Sequence, residues 1–332
     1  MVLGGATTLL LVASAGCTHA TLAPPRPASG VSQFSLPHPD SQPNSITNGP
    51  HGSLWFSEER GNRIGRITRK GEITEFRIGT PNSGPLGIAV GRDGKVWFTE
   101  NKIGRVAYLL PSGRIIEFSL PAHDSYPDTM TTTPDGSVWF TEWGSDKVAD
   151  ITARGIVKEY PVPTLNSEPD GITFGPDGNI WFSESAGNKI GRVTAGGVVT
   201  EFPLPHPASH PDGMTPGPDG RLWFVEHGGN RIGRISMSGK LSEYPLPGND
   251  RGPDTIVAAP DHHLWFTDFF TGQLTTFSTA GGARDVSLGD ANSGPHGMAL
   301  GSGGTIWFVE EHANTVGRLD LAHYAHRLRG GS

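Results

Sequence analysis

The chain has 332 residues, a formal net charge of -7 and 18% charged residues, so it lacks the basic surplus needed to hold a nucleic-acid backbone. Gly at 47 and Pro at 28 are both above ordinary usage, yet they recur at regular turn positions, which argues against a low-complexity, disordered chain. The single cysteine, Cys17, has no intrachain disulfide partner.

Residues 4–16 form an apolar, small-residue run that ends at Cys17. Its length suits a secretory leader and falls short of the ~20 apolar residues that a membrane span needs. Ala15-Gly16-Cys17 has the form of a bacterial lipoprotein cleavage and lipidation point, although Ser14 stands where Leu is usual and no Lys or Arg precedes the run. The expected organisation is a leader over 1–17 and a Pro-, Ala-, Thr- and Ser-rich tether over 18–31. This places the protein in the cell envelope, periplasmic or extracellular, with Cys17 as the candidate lipid anchor and its only link to a membrane. An ordinary cleaved leader or a plain tail is the alternative.

From residue 32 the chain repeats. Trp55, Trp97, Trp139, Trp181, Trp223, Trp265 and Trp307 lie 42 residues apart throughout. Phe34, Phe76, Phe118, Tyr160, Phe202, Tyr244 and Val286 keep the same interval. In the uninterrupted fourth copy, Gly175-Pro176-Asp177-Gly178 marks a hairpin turn, Thr194 to Gly197 a second turn, and Pro203 and Pro205 the end of an edge strand. Each copy therefore predicts four short strands, and the whole an all-β, seven-bladed propeller over 32–319. The second column starts one strand early. A fourth-type strand at 32–37 precedes the first copy, while the seventh copy has three strands up to Leu319. The N-terminal strand is thus expected to complete the last blade and close the ring. Residues 320–332 show no pattern and receive no role.

Two polar columns stand at one end of the blades. Three residues after each Trp comes an acid: Glu58, Glu100, Glu142, Glu184, Glu226, Asp268 and Glu310. Eleven residues before it come Asn44, Leu86, Asp128, Asp170, Asp212, Asp254 and His296. A hairpin turning at Asp177-Gly178 is expected to set Asp170 opposite Ser185, and by the same register His296 opposite Glu311, next to Glu310. Both columns would then face a mouth of the central channel, the usual place for a propeller ligand. An acid in every copy reads first as a structural device that satisfies local donors, and the Asp column carries the same structural reading. His296 differs because it breaks the repeat, and its near-neutral pKa suits a general base, although a satisfied structural histidine stays open. His227, His312 and the His262-His263 pair lack metal-ligand spacing and read as surface groups.

The stretch Gly294-Pro295-His296-Gly297-Met298, the Trp307-Phe308-Val309-Glu310 segment and the recurring Asn-Arg/Lys-Ile-Gly-Arg units resemble the virginiamycin B lyase family over residues 32–319. The resemblance implies a carbon–oxygen lyase that linearises a cyclic depsipeptide by elimination. His296 would be the general base, and Glu310, 14 residues on, would bind Mg²⁺. The family has a second histidine where Asp254 stands, an acid where Gly294 stands and a substrate-facing tyrosine where Asn44 stands. Asp254 is the candidate replacement metal ligand, as a hard oxygen donor, and Asn44 and Asp212 are candidate substrate contacts. The expected partner is a small molecule or cyclic peptide at the mouth of a monomer. The competing reading is a non-catalytic, envelope-tethered propeller that binds a sugar, peptide or cell-wall fragment. A six-bladed sugar-lactone hydrolase is disfavoured by the count of seven.

Overall fold

The computed structural model describes residues 27–28 and 30–330. The leader, Cys17 and most of the tether lie outside the described residues. Seven antiparallel sheets of four strands each follow one another around a ring. Blade four shows the pattern: Pro169–Phe174, Ile180–Glu184, Lys189–Val193 and Val199–Pro203, from the channel outwards.

The repeated residues form these sheets because each fills one place in the seam between blades. Trp181 is fully buried and stacks on Phe202 of its own outer strand at 5.4 Å, and the Arg192 guanidinium lies over the indole at 5.3 Å. Its ring N–H donates to Asp177 in the hairpin turn at 3.0 Å, so the turn acid satisfies the buried indole. Phe182, the next residue, is also fully buried, and Gly191 on the third strand gives it room: a Cβ there would meet the ring at 2.1 Å. The Ile-Gly-Arg unit thus sets Gly against Phe and Arg against Trp. Each seam encloses its own apolar cluster, as with Trp181, Ile190, Leu204, Met214, Leu222, Phe224 and Ile235 between blades four and five.

Blade seven consists of Pro295–Gly301, Thr305–Glu310 and Thr315–Asp320 with Val31–Ser35 as its outer strand. The register runs from Val31 opposite Leu319 to Ser35 opposite Thr315. The ring is closed by sheet pairing between the two ends of the propeller, as the displaced Phe34 column predicts.

Two features differ from the sequence reading. The tail, expected to lack a pattern, forms a helix, Leu321–Gly330, whose first turn is capped where the His323 amide donates to the Asp320 carboxylate at 3.0 Å. Leu321 is buried and Tyr324 meets Trp265 edge-on at 5.4 Å. In the sequence, Leu321, Tyr324, Ala325 and Leu328 keep the i, i+3, i+4, i+7 apolar spacing of a helix, a signal that the strand repeat overshadowed. Among the described residues, no helix is long and apolar enough to cross a membrane.

The second difference lies in the innermost hairpin. Pro169 pairs with Glu184, but Ile172 pairs with Phe182, so the inner strand carries a β-bulge between them. The same irregularity recurs in all seven blades. A bulge re-aims the side chain that it contains, and here that residue is the one eleven before each Trp.

Candidate functional site at the channel mouth

The bulge residues project into the channel, where Asn44, Leu86, Asp128, Asp170, Asp212, Asp254 and His296 ring a cavity of about 240 Å³. A bulge frees backbone groups, and hydroxyls two residues after the Trp take them up. Ser57 accepts from the Ser45 amide at 3.1 Å and donates to the Leu86 carbonyl of the next blade at 2.5 Å. Thr99 does the same for Gly87 and Asp128, both at 2.9 Å. Thr267 serves Thr255 at 3.1 Å and the His296 carbonyl at 2.9 Å. Where the residue after the bulge position is Gly, the backbones come close: a Cβ on Gly297 would meet the Asn44 carbonyl at 2.6 Å.

Four carboxyls in a narrow ring repel one another. Burial, chiefly, and the neighbouring aspartates push Asp170 and Asp212 well above the usual carboxylate range. Asp128 is raised to about 6, first by burial and then by Asp254 and Glu59, against the opposing pull of His296. Such a ring favours a proton, a cation or a donor-rich ligand over an anion.

His296 stands beside Asp254, its Nδ1 3.4 Å from one carboxylate oxygen. The other oxygen of Asp254 is 4.0 Å from Nδ1 of His227, which comes from blade five just after its column acid. One ligand atom each from Asp212, His227 and Asp254 lie within 4.8 Å of one another. His227, expected at the surface from its lack of metal-ligand spacing, instead joins this cluster. The signal available was its place directly after Glu226, where the chain leaves the second strand at the mouth. Phe269 meets both His296, at 5.8 Å, and His312, at 5.3 Å, edge-on. Phe270, Tyr126 and Trp143 are exposed on the same rim.

The structure therefore brings together His296, Asp254, Asp212 and Asn44. Glu310 goes elsewhere. It is fully buried at the end of its strand, paired with Pro295, and one oxygen accepts from Gln33 at 2.8 Å and Thr315 at 2.7 Å. The six glutamates of the column behave alike. Burial raises Glu58, Glu100, Glu142 and Glu226 to about 7 and Glu184 to about 8, and burial also raises Glu310, against the hydrogen bonds from Thr315, Gln33 and Ser293. The acid column is an interior brace at the blade ends, not a second ring of the mouth, because the bulge turns only the inner strand toward the channel. Magnesium at Glu310 does not fit this geometry. The partnerless Oε1 there recurs on Glu58, Glu100, Glu142, Glu184 and Glu226, so it belongs to the repeat, and the other oxygen is already taken up by Gln33 and Thr315.

A larger cavity of about 500 Å³ lies at the hairpin end, between blade six and the terminal helix, lined by Asp261, His263, Trp265, Arg284, Leu321 and Tyr324. Its groups do not converge as those of the mouth do.

Residues 22–187 and 172–326 each match the sequence model of the Virginiamycin B lyase family. A 43-residue stretch is 42% identical to virginiamycin B lyase of Bacillus licheniformis, a match spanning 13% of this chain and 15% of that protein. A streptogramin B lyase structure aligns with a TM-score of 0.84 at 37% identity, over 87% of this chain and 96% of that one. A catalytically inactive histidine-to-alanine variant of virginiamycin B lyase from Staphylococcus aureus, with quinupristin, aligns with a TM-score of 0.84 at 35% identity, over 87% of this chain and 98% of that one.

Proposed function

The chain belongs to the virginiamycin B lyase family, and from that premise we propose that it is a carbon–oxygen lyase that opens a cyclic depsipeptide or related ester, with His296 as the general base. The observation that carries this reading is the His296–Asp254 contact at the one mouth position where an imidazole replaces the ring's carboxylates. A carboxylate at Nδ1 favours the tautomer with its proton on that nitrogen, leaving the Nε2 lone pair to accept another. In the elimination, Nε2 takes the proton α to a carbonyl. The C–H electron pair becomes the new double bond, the C–O bond to the ester oxygen breaks, and the leaving group departs as a carboxylate. Asp254 is a positioning residue that holds the imidazole and stabilises its charged form. Asn44 and Asp212 face the same cavity as polar substrate contacts. The exposed Phe270, Tyr126 and Trp143 give a ring-shaped peptide an apolar rim on which to rest. The inactive histidine variant of the Staphylococcus aureus enzyme supports a histidine base. No step is assigned to magnesium, since Glu310 does not offer it a site.

The test is linearisation of a streptogramin B-type depsipeptide, followed by mass and chromatographic shift. A positioned base contributes ~10²–10⁴-fold, so His296→Ala is expected to lower kcat by that factor with an unchanged melting temperature. Full turnover by the variant would overturn the assignment. One observation favours a second reading, a non-catalytic propeller that binds a sugar, peptide or cell-wall fragment at the mouth: the acids that the family resemblance requires around the base are missing at Gly294 and enclosed at Glu310. Saturable ligand retention without any product is its outcome.

A further inference from the structure

We infer that Asp212, His227 and Asp254 form a binding site for a first-row divalent cation of the zinc class, bridging blades five and six at the mouth. Three observations converge on it. The ligand atoms of the three side chains already lie within 4.8 Å of one another. Metal–ligand distances near ~2.1 Å place ligands ~3–4 Å apart, so closing on an ion takes side-chain rotation, not a change of fold. The Nδ1 atom of His227 is buried and has no hydrogen-bond partner, yet it points toward Asp254 at 4.0 Å. A ring nitrogen left dry and unpaired is costly, and a bound cation would use its lone pair. The edge-on contact with Phe270 at 5.2 Å fixes the imidazole in that orientation.

The donor set chooses the ion. Two carboxylates alone would suit Mg²⁺ or Ca²⁺, but an imidazole ligand shifts preference toward Zn²⁺ and its first-row neighbours. The geometry also divides the labour of Asp254. One oxygen faces His296 and the other faces His227, so a cation on the second oxygen leaves the first beside the base. The crowded carboxyls of the ring, Asp128 and Asp170 as well as the two ligands, favour a cation over an anion at this mouth. The site shares the mouth with the lyase reading but does not rest on it, and its readout is binding, not turnover.

The experiment is isothermal titration of the metal-stripped full chain with Zn²⁺, alone and in the presence of millimolar Mg²⁺, with Co²⁺ absorption as a spectroscopic check. One tight equivalent is expected, undisturbed by Mg²⁺, with visible Co²⁺ bands of nitrogen–oxygen coordination. His227→Ala and Asp212→Asn should each weaken this phase at least tenfold, while Glu310→Gln, checked for folding by circular dichroism, should leave it unchanged. The chain's 13 histidines can bind Zn²⁺ weakly, and such binding would persist in His227→Ala. Absence of a single tight equivalent, unaltered affinity in His227→Ala, or a Mg²⁺-competed phase lost in Glu310→Gln would each overturn the assignment. Loss of depsipeptide turnover in His296→Ala with Zn²⁺ still bound would leave both readings standing. Zn²⁺ binding in a chain that turns over no depsipeptide would remove the lyase reading alone.

Discussion

Replacing Arg251 by Met tests how the irregular sixth blade is held. In the other blades the column acid is a Glu, but here it is Asp268, fully buried, and an arginine from the preceding loop reaches into the blade to meet it. Arg251 is 5% exposed and donates to Asp268 from Nε at 3.2 Å and Nη2 at 2.7 Å, to Thr275 at 2.6 Å and to Asp285 at 2.5 Å. Burial alone would lower its pKa, but the hydrogen bonds and charges of Asp268 and Asp285 hold it far above the usual range. Burial raises Asp268, and Arg251 is the main opposing influence. Removing one partner of such a pair leaves a buried charge and costs about 3–5 kcal/mol, whereas replacing both by apolar groups is often neutral. At about 2 cal/mol/K of unfolding entropy per residue, a ring spanning residues 31 to 320 would lose about 5–8 °C in Tm. Asp285 is 42% exposed and keeps its charge in water. Urea and thermal unfolding at pH 7 should therefore show Arg251→Met strongly destabilised and Arg251→Met/Asp268→Leu restored by at least half. The loss in the single variant should shrink toward pH 5, as the stranded Asp268 takes up a proton. A single-variant loss below about 1 kcal/mol, or a double variant no better than the single, would refute the account of this pair.

The buried acid column predicts an unusual pH dependence. Glu58, Glu100, Glu142, Glu184 and Glu226 have folded pKa values of about 7 to 8 against an ordinary 4.5, with burial as the main cause. They bind more protons folded than unfolded between those values, so their contribution is full below pH 4.5 and is lost as pH rises through 7 to 8. Asp135, Asp177 and Asp219, all held below the ordinary range by hydrogen bonds, act in the opposite direction, but only on stronger acidification. Tm should thus fall from pH 5.5 to pH 8, and Glu184→Gln, a neutral mimic, should flatten that slope and raise stability at pH 8 by on the order of 1–3 kcal/mol; a Tm that rises over this interval would contradict it. Deleting residues 1–37 strips blade seven of its outer strand and of the Gln33 contact to Glu310. The truncated chain should melt at least ~10 °C lower or aggregate through the exposed edge; equal melting would show that closure contributes nothing.

Most of the architecture was legible because packing between blades repeats. Trp, the outer-strand aromatic, Gly and Arg recur at one interval because each fills the same place in the same seam, and the early start of the Phe34 column disclosed the closing strand. The mouth was legible only in part. His296, Asp254, Asp212 and Asn44 could be placed on one ring from their shared offset. The bulge that points them inward could not, since Pro-Asp-Gly has no signature that separates a bulge from a regular strand start, and a hairpin without it brings Glu310 to the same surface. His227 was missed for a related reason. It follows the column acid, and its approach to Asp254 depends on how one blade leans over the next. The tail helix was legible in the spacing of Leu321, Tyr324, Ala325 and Leu328, but a short helical period is easily overlooked beside seven strand repeats.

The hydroxyls that tie each bulge to its neighbour also give the ring a mechanical character. Ser57, Thr99 and Thr129 link blades one to two, two to three and three to four, and Thr267 links six to seven. At the corresponding place blades five and seven carry Val225 and Val309, which cannot donate, and among the described residues Ser183 reaches only Gly171 of its own blade. By these hydroxyl links alone, the inner ring divides into an arc of four blades, a coupled pair that carries Asp254 and His296, and blade five between them. Ring breathing should concentrate at the seams on either side of blade five and at the closure between blades seven and one. The coupled pair would then travel as one body, so the spacing of His296 and Asp254 is insulated from strain elsewhere, while Asp212 and His227 ride on the blade that is freest to adjust.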